Sequence, residues 1–436
     1  MKKLLSIVTT LFLGTSLMAQ DDVYPAKEYK GLLFITNATV HVGNGQVLEN
    51  TTIKVNNGKI EQVGQNIPVP ADNVKVFDVK GKQVYPGLIL SNSQLGLIDI
   101  SSVRATSDGQ EIGEMNPNIR SIVAYNTDSK IINTLKSNGI LFANIIPDGG
   151  LLSGSSTVVQ LDAWNWEDAA YKLDNAIHFN MPSLISRPNP FAEFFGPQQG
   201  PQADPLKRGL EQIDRIKSFF RQAKGYFAQD KHEATNLKFE AVRGLFDKKQ
   251  KFFIHCDLVK EMLVAVDFAK EFGFDVVLVG ASESWQMADL LKQNNISVIL
   301  SQAHSLPTMA DDDVDQPYKA ASYLQKAGVL YAINDDDGSA RGRNLPFNAG
   351  TYAAYGISKE EALSAITLNA AKILGVADKT GSIEVGKDAN IIVSEGDVLD
   401  MKSSIITHAF IQGRQLDLTD KHKQLLERYK LKYGIK

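Results

Sequence analysis

Between residues 84 and 375 the chain repeats one pattern, and that pattern constrains the fold more than anything else in the sequence. Apolar runs of five to eight residues ("VYPGLIL", "GILFANII", "KFFIHC", "FDVVLVG", "ISVILSQ", "GVLYAIN") alternate with segments of helical periodicity. A continuous apolar strand is buried on both faces, which a parallel sheet under helices requires. The intervening "VKEMLVAVDFAKEFG", "SWQMADLLKQNN" and "YKAASYLQKAG" have helical spacing and stop at Gly or Asn. Strand and helix alternating over this length predict a (β/α)₈ barrel, with a doubly wound open sheet as the competing α/β architecture.

Both flanks of this middle are different. "LFITNATVHVG", "TTIKVNNGKIEQVG" and "NVKVFDVKGKQV" alternate apolar and polar residues around Asn-Gly and Lys-Gly turns. The same texture returns in "GSIEVGKDANIIVS" and "SIITHAFIQGRQLDL". The economical arrangement is a small β-sandwich domain built from residues 20–83 and 376–418. The barrel then occupies 84–375, and 419–436 form a C-terminal helix or tail. Residues 181–249 read as an insertion in the barrel. Its proline-rich start, 181–206, lacks periodicity and reads either as a lid over a site or as part of a segment packed outside.

The first residues have the order of a secretory signal. Lys2 and Lys3 precede an apolar run, Leu4 to Leu17, and Met18-Ala19-Gln20 lead into Asp21 and Asp22. This predicts a signal peptide over 1–19 and an exported mature protein, periplasmic or extracellular. No other long uncharged apolar stretch follows, so no membrane span is expected after cleavage. Losing Lys2 and Lys3 moves the net charge from −4 to −6. An acidic balance argues against nucleic-acid partners. A single cysteine, Cys256, excludes an internal disulfide. Stability must come from a large core, and 43% hydrophobic residues can supply one.

In a barrel the chemistry sits where strands end. Ser91, Asn92, Ser93 and Gln94 follow the first run, and His255 ends "KFFIHC". Ala281, Ser282 and Glu283 follow "FDVVLVG", and His304 follows "ISVILSQ". Asn334 and Asp335 to Asp337 follow "GVLYAI". Each has a bland alternative, a hydrogen-bonded structural histidine or a solvated Asp-Gly turn. Their joint placement points to a shared site.

The order of β-piece, "PGLI" strand, alternating α/β segments and then "GISKEEALSAITLNAAKILGVADKTGSIEVGKDANIIV" resembles the amidohydrolase superfamily, and within it the secreted, imidazolonepropionase-like members. The upstream "GKIEQVG" and "VFDVKGKQVYPGLI" add to the likeness. The resemblance implies a barrel mouth holding one or two divalent metals. Its ligands would be a His-x-His pair after strand one, a His after strand five, a His after strand six and an Asp after strand eight, some members adding a carbamylated Lys after strand four. It also implies that the metal activates a water whose proton the Asp takes.

The match is incomplete. Asn92 and Gln94 stand at the His-x-His positions, and Leu90 replaces the Asp usual before them. His255 matches the strand-five ligand, and Asp335 matches the strand-eight Asp, with Asp336 one step away. The strand-six region has no His, and no lysine is placed after strand four. An amide offers only a neutral carbonyl oxygen where an imidazole would bind zinc. With Glu283 as a substitute ligand the set would be oxygen-rich and would favour Mg²⁺, Mn²⁺ or Ca²⁺ over Zn²⁺; the alternative is no metal.

Two further stretches stand out. "DGGLLSGSSTVVQLDAWNWEDA", 148–169, reads as backbone approaching a ligand or as a tight connection with Trp164 and Trp166 in the core. In "SARGRNLPFNAG", Arg341 and Arg343 either clamp a carboxylate substrate or pair with nearby aspartates. Two functions follow. One is an exported hydrolase of non-peptide C–N bonds, in amides or cyclic amides, with Asp335 as base and His304 on substrate. The other is a non-catalytic descendant that binds a small molecule or a partner protein. Homodimers, or hetero-oligomers with a paralogue, are the expected assemblies.

Overall fold

The structure, a computed structural model, describes residues 23–185, 204–335 and 339–435. The signal-peptide reading of 1–19, most of the proposed lid, and Asp336 and Asp337 lie outside the described residues.

Two eight-stranded sheets organise the chain. The first joins both chain ends. It contains β1 (Leu32–His41), β2 (Val47–Asn56), β3 (Lys59–Gly64), β4 (Val74–Asp78) and β5 (Gln83–Pro86) from the N-terminal side. The hydrogen-bonded network branches at β1, which pairs with β2 along one edge and with β4 and then β5 along the other. The barrel strands are β6 (Leu88–Ser93), β7 (Ile140–Ile145), β8 (Leu152–Gln160), β9 (Ala170–Asn180), β10 (Lys251–Cys256), β11 (Val276–Gly280), β12 (Ser297–Leu300) and β13 (Tyr331–Ile333). From the C-terminal side come β14 (Ile391–Ser394), β15 (Ile406–Ile411) and β16 (Arg414–Gln415). β5 and β14 pair antiparallel, Val84 opposite Val393, and this ladder welds the two ends into one small domain. That domain has its own core around Ile35, Val40, Ile53, Val84, Ile391 and Phe410.

Gly87 alone separates β5 from β6. A Cβ there would sit 2.6 Å from the Leu141 side chain, so only glycine lets the chain pass from one domain into the other. The barrel strands follow in sequence order, β6 to β13, and both faces of most of them are buried.

One expectation is corrected. The barrel is not wholly parallel, because β8 runs antiparallel to both β7 and β9. Only residues 146–151 connect β7 to β8, and a parallel neighbour needs a crossover of roughly a dozen residues. The glycine-rich 148–169 stretch therefore supplies a hairpin turn and a strand. Trp164 is 64% exposed, outside the core, whereas Trp166 packs partly buried against it.

The region read as an insertion also resolves in its described part. Helix Pro205–Phe227, capped by Asp204, buries Ile213, Ile216, Phe220 and Ala223. Phe220 lies 5.3 Å from Phe252 and 5.0 Å from Phe274, ring to ring. The helix covers the outer face of β10 as an ordinary barrel helix. Helix Lys421–Tyr433 ends the described chain, its first turn capped by Asp420.

Among the described residues no ladder joins β13 to β6, so the barrel is nearly rather than fully closed. A side chain spans the seam. Asn334 Oδ1 accepts the backbone N–H of Asn92 at 3.1 Å, and Asn334 Nδ2 donates to the Asn92 carbonyl at 2.9 Å. The amide thus imitates a strand residue, in a position with no solvent exposure. Asn334→Ala should strand both Asn92 backbone groups in the interior. A loss of about 3 kcal/mol is expected from two hydrogen bonds and the groups left unsatisfied, read as a lower urea midpoint; an unchanged midpoint would show that the seam does not depend on this amide.

Candidate functional site at the barrel mouth

Residues after four strands converge on one cleft of about 510 Å³. Asn92 and Gln94 come from the end of β6, Asp148 from beyond β7, His255 from β10 and Asp335 from beyond β13. Arg341 reaches the rim from the turn Ser339–Asn344. Strand-end placement is what the sequence led one to expect, and side-chain contacts then hold Asp335 and His255 in place. A strand presents alternate residues to the barrel interior, so β10 turns His255 inward together with Phe253. The register sets His255 opposite Asn180 on β9 and Phe253 opposite His178.

Asp335 is 2% exposed, and its Oδ2 accepts from Asn348 Nδ2 at 2.9 Å. Asn348 belongs to helix Leu345–Ala354, so a helix outside the barrel fixes the carboxylate. Asn92 is 6% exposed and its Oδ1 is buried without a hydrogen-bond partner.

His178 is the residue sequence reasoning missed. It is wholly buried on β9, and its Nδ1 lies 2.9 Å from Nε2 of His255. Two imidazoles in contact cannot both be charged at low cost. Burial holds His255 down to about 4, against an opposing pull from Asp148 and Asp257. Burial, and then His255, hold His178 well below the ordinary imidazole range. The pair is neutral at neutral pH. The available signal was "NAIHFN", an apolar strand with an inward histidine. Asp148 was also missed, although it follows the run "GILFANII" as directly as His255 ends its own.

Three sequence-predicted site residues lie elsewhere. Glu283 is buried, but its Oε2 accepts the backbone N–H of Val259 at 2.8 Å and serves the N-terminus of helix Val259–Phe272. His304 is exposed and meets Thr351 Oγ1 at 3.0 Å, away from the cleft lining. Arg343 does not line the cleft, whereas Arg341 does.

The metal implied by the resemblance can be tested against these donors. His255 Nε2 faces His178, the strand-one positions offer amides, and Glu283 is turned to a helix end. Among the described residues no group of three or more His, Cys, Asp or Glu side chains comes together to hold an ion. The strand-four end presents His178 and Asn180, with no lysine to carbamylate. Among the described residues these donors lack the imidazoles that a zinc site needs.

Fold and cleft together define a nearly closed α/β barrel with a composite β-domain and a polar cleft at its strand ends. The comparisons with known proteins agree. The sequence pattern of the Amidohydrolase family matches residues 277–416. A solved amidohydrolase from Thermotoga maritima superposes with a TM-score of 0.75 at 26% identity, over 88% of this chain and 99% of that one. The imidazolonepropionase of Streptococcus gordonii is 25% identical over 391 residues, 81% of this chain and 86% of that protein. Amidohydrolase tasK of Hapsidospora irregularis is 22% identical over 384 residues, and the match spans only 38% of that protein's length. These likenesses support the amidohydrolase superfamily for this chain.

The histidine pair gives stability a pH dependence. The unfolded chain binds protons near pH 6.5, where the folded His255 does not, so stability falls as pH drops from about 6.5 towards 4. The loss from His255 is on the order of 3 kcal/mol, and His178 adds in the same direction. Urea midpoints measured across this range should fall in the wild-type protein and change less in His255→Gln; equal slopes would place the protonation elsewhere.

Proposed function

We propose that this chain is an exported hydrolase acting on C–N bonds other than peptide bonds, in small amides or cyclic amides. The observation that carries the reading is the convergence of Asp335, His255, Asn92, Gln94 and Arg341 on one cleft at the strand ends. Asp335, held by Asn348, is the group suited to take a proton from water. Asn92 and Gln94 supply hydrogen-bonding amides of the kind that orient an amide substrate. Arg341 offers a planar fork at the rim for a carboxylate on that substrate. The family likeness supports hydrolysis, and the relatives named imidazolonepropionase make cyclic amides the first compounds to try. The Lys-rich start and apolar run before Ala19 support export to the periplasm or beyond. Among the described residues no helix is long and apolar enough to cross a membrane.

A second reading is binding without turnover, in which the same cleft holds a small molecule or a partner, including a paralogue in a hetero-oligomer. It starts from the bond between His178 and His255, which occupies a nitrogen that metal chemistry would use.

The test uses residues 20–436, purified without chelator and assayed on amides, lactams and cyclic imides with and without Zn²⁺, Mn²⁺, Mg²⁺ and Ca²⁺. Turnover that falls by roughly a hundredfold or more in Asp335→Asn supports the hydrolase. Saturable binding of one of these compounds with no turnover under any metal condition supports the second reading and ends the first.

A further inference from the structure

We infer that His178 is a positioning residue: its Nδ1–H donates to Nε2 of His255, so that His255 presents its Nδ1–H to the cleft and receives a carbonyl or carboxylate oxygen there. The inference deepens the proposed function and rests on its placing of the site in this cleft.

A hydrogen bond between two neutral imidazoles requires one N–H and one lone pair. Only two arrangements satisfy the 2.9 Å contact between His178 Nδ1 and His255 Nε2. In the first, His178 donates from Nδ1, its Nε2 carries a lone pair, and His255 carries its proton on Nδ1. In the second, His255 donates from Nε2, and His178 must carry its other proton on Nε2. That Nε2 is buried with no partner. The second arrangement therefore leaves an orphan N–H donor in the barrel interior, which folded proteins rarely tolerate. The first leaves an unused lone pair.

The charges around His255 favour the same choice independently. Asp148 lines the same cleft as His255. A negative field favours an N–H facing the cleft over a lone pair facing it. His255 lines the cleft and its Nε2 is taken by His178, which leaves Nδ1 as its ring nitrogen for the cleft. His178 itself is locked by burial and by the edge-to-face contact with Phe253 at 5.2 Å. It cannot turn away without breaking the barrel packing.

The consequence is specific. A zinc ion needs a lone pair, and the lone pair of His255 points at His178. The cleft, which Arg341 also lines, meets a ligand at this point as a donor. The ligand class is a small molecule with a carbonyl or carboxylate oxygen.

The test reads tautomers by nitrogen-15 NMR on histidine-labelled protein, with His255→Gln identifying the His255 signals among the seven histidines. The expected result is a pyrrole-type Nδ1 and a pyridine-type Nε2 on His255. His178→Gln keeps a side-chain N–H donor and should retain that pattern, whereas His178→Phe should lose it and return His255 towards the Nε2–H form of free imidazole. Zinc added to the wild-type protein should leave the His255 signals in place. A pyrrole-type Nε2 on wild-type His255, or zinc moving that signal, overturns the inference. Turnover is not read, so an inactive protein with the expected pattern fails the proposed function alone. A hydrolase with the reversed pattern fails this inference alone. If His178→Phe does not fold, the wild-type pattern and the zinc response still decide the question.

Discussion

One amide bridges the seam of the barrel. Seven of its eight strand junctions are ladders, and the eighth is bridged by the side chain of Asn334, which bonds both backbone groups of Asn92. This places a polar clamp beside the functional residues. Asn92 is at once the clamp's partner and a lining residue of the cleft, and Asp335 follows Asn334 directly. The closure of the fold and the geometry of the site are therefore one interaction. Buried polar groups of this kind are costly unless satisfied, and here each backbone group of Asn92 is satisfied by a single neighbour.

The rest of the barrel mouth is built on that closed ring. β10 turns His255 inward, and the register with β9 places His178 just beneath it. Burial then removes charge from both rings, so the interior holds a neutral imidazole pair where the resemblance implied ligands to a cation. A frame can persist while its chemistry changes, because the core residues that hold the strands are not the residues that face the mouth.

How much of this was legible depended on range. The small domain could be read from both ends because its hairpin signals are local, as in Asn56-Asn57-Gly58 before β3. The barrel could be read from apolar runs of the correct length. The reversal of β8 could not, because its signal was a short connection that also fits a tight loop. Glu283 looked like a site residue because it follows a strand. Its carboxylate instead meets the backbone of a helix that begins 24 residues earlier, at Val259. Spacing along the chain does not report that contact. His178 was hidden for a related reason, since its importance lies in a neighbour 77 residues away.

By itself, then, the sequence determined what local periodicity can determine: strands buried on both faces, helices between them, a composite β-domain and polar residues at strand ends. Those properties follow from side-chain burial and backbone preference within a few residues. Tertiary structure decided what depends on register and on long-range contact. It made β8 antiparallel, set His178 against His255, turned Glu283 to a helix end and Asp148 to the cleft, and closed the barrel with Asn334. The physical reason is that a hydrogen bond is made or lost within about 0.5 Å, and that precision arises only when distant strands have been placed against one another.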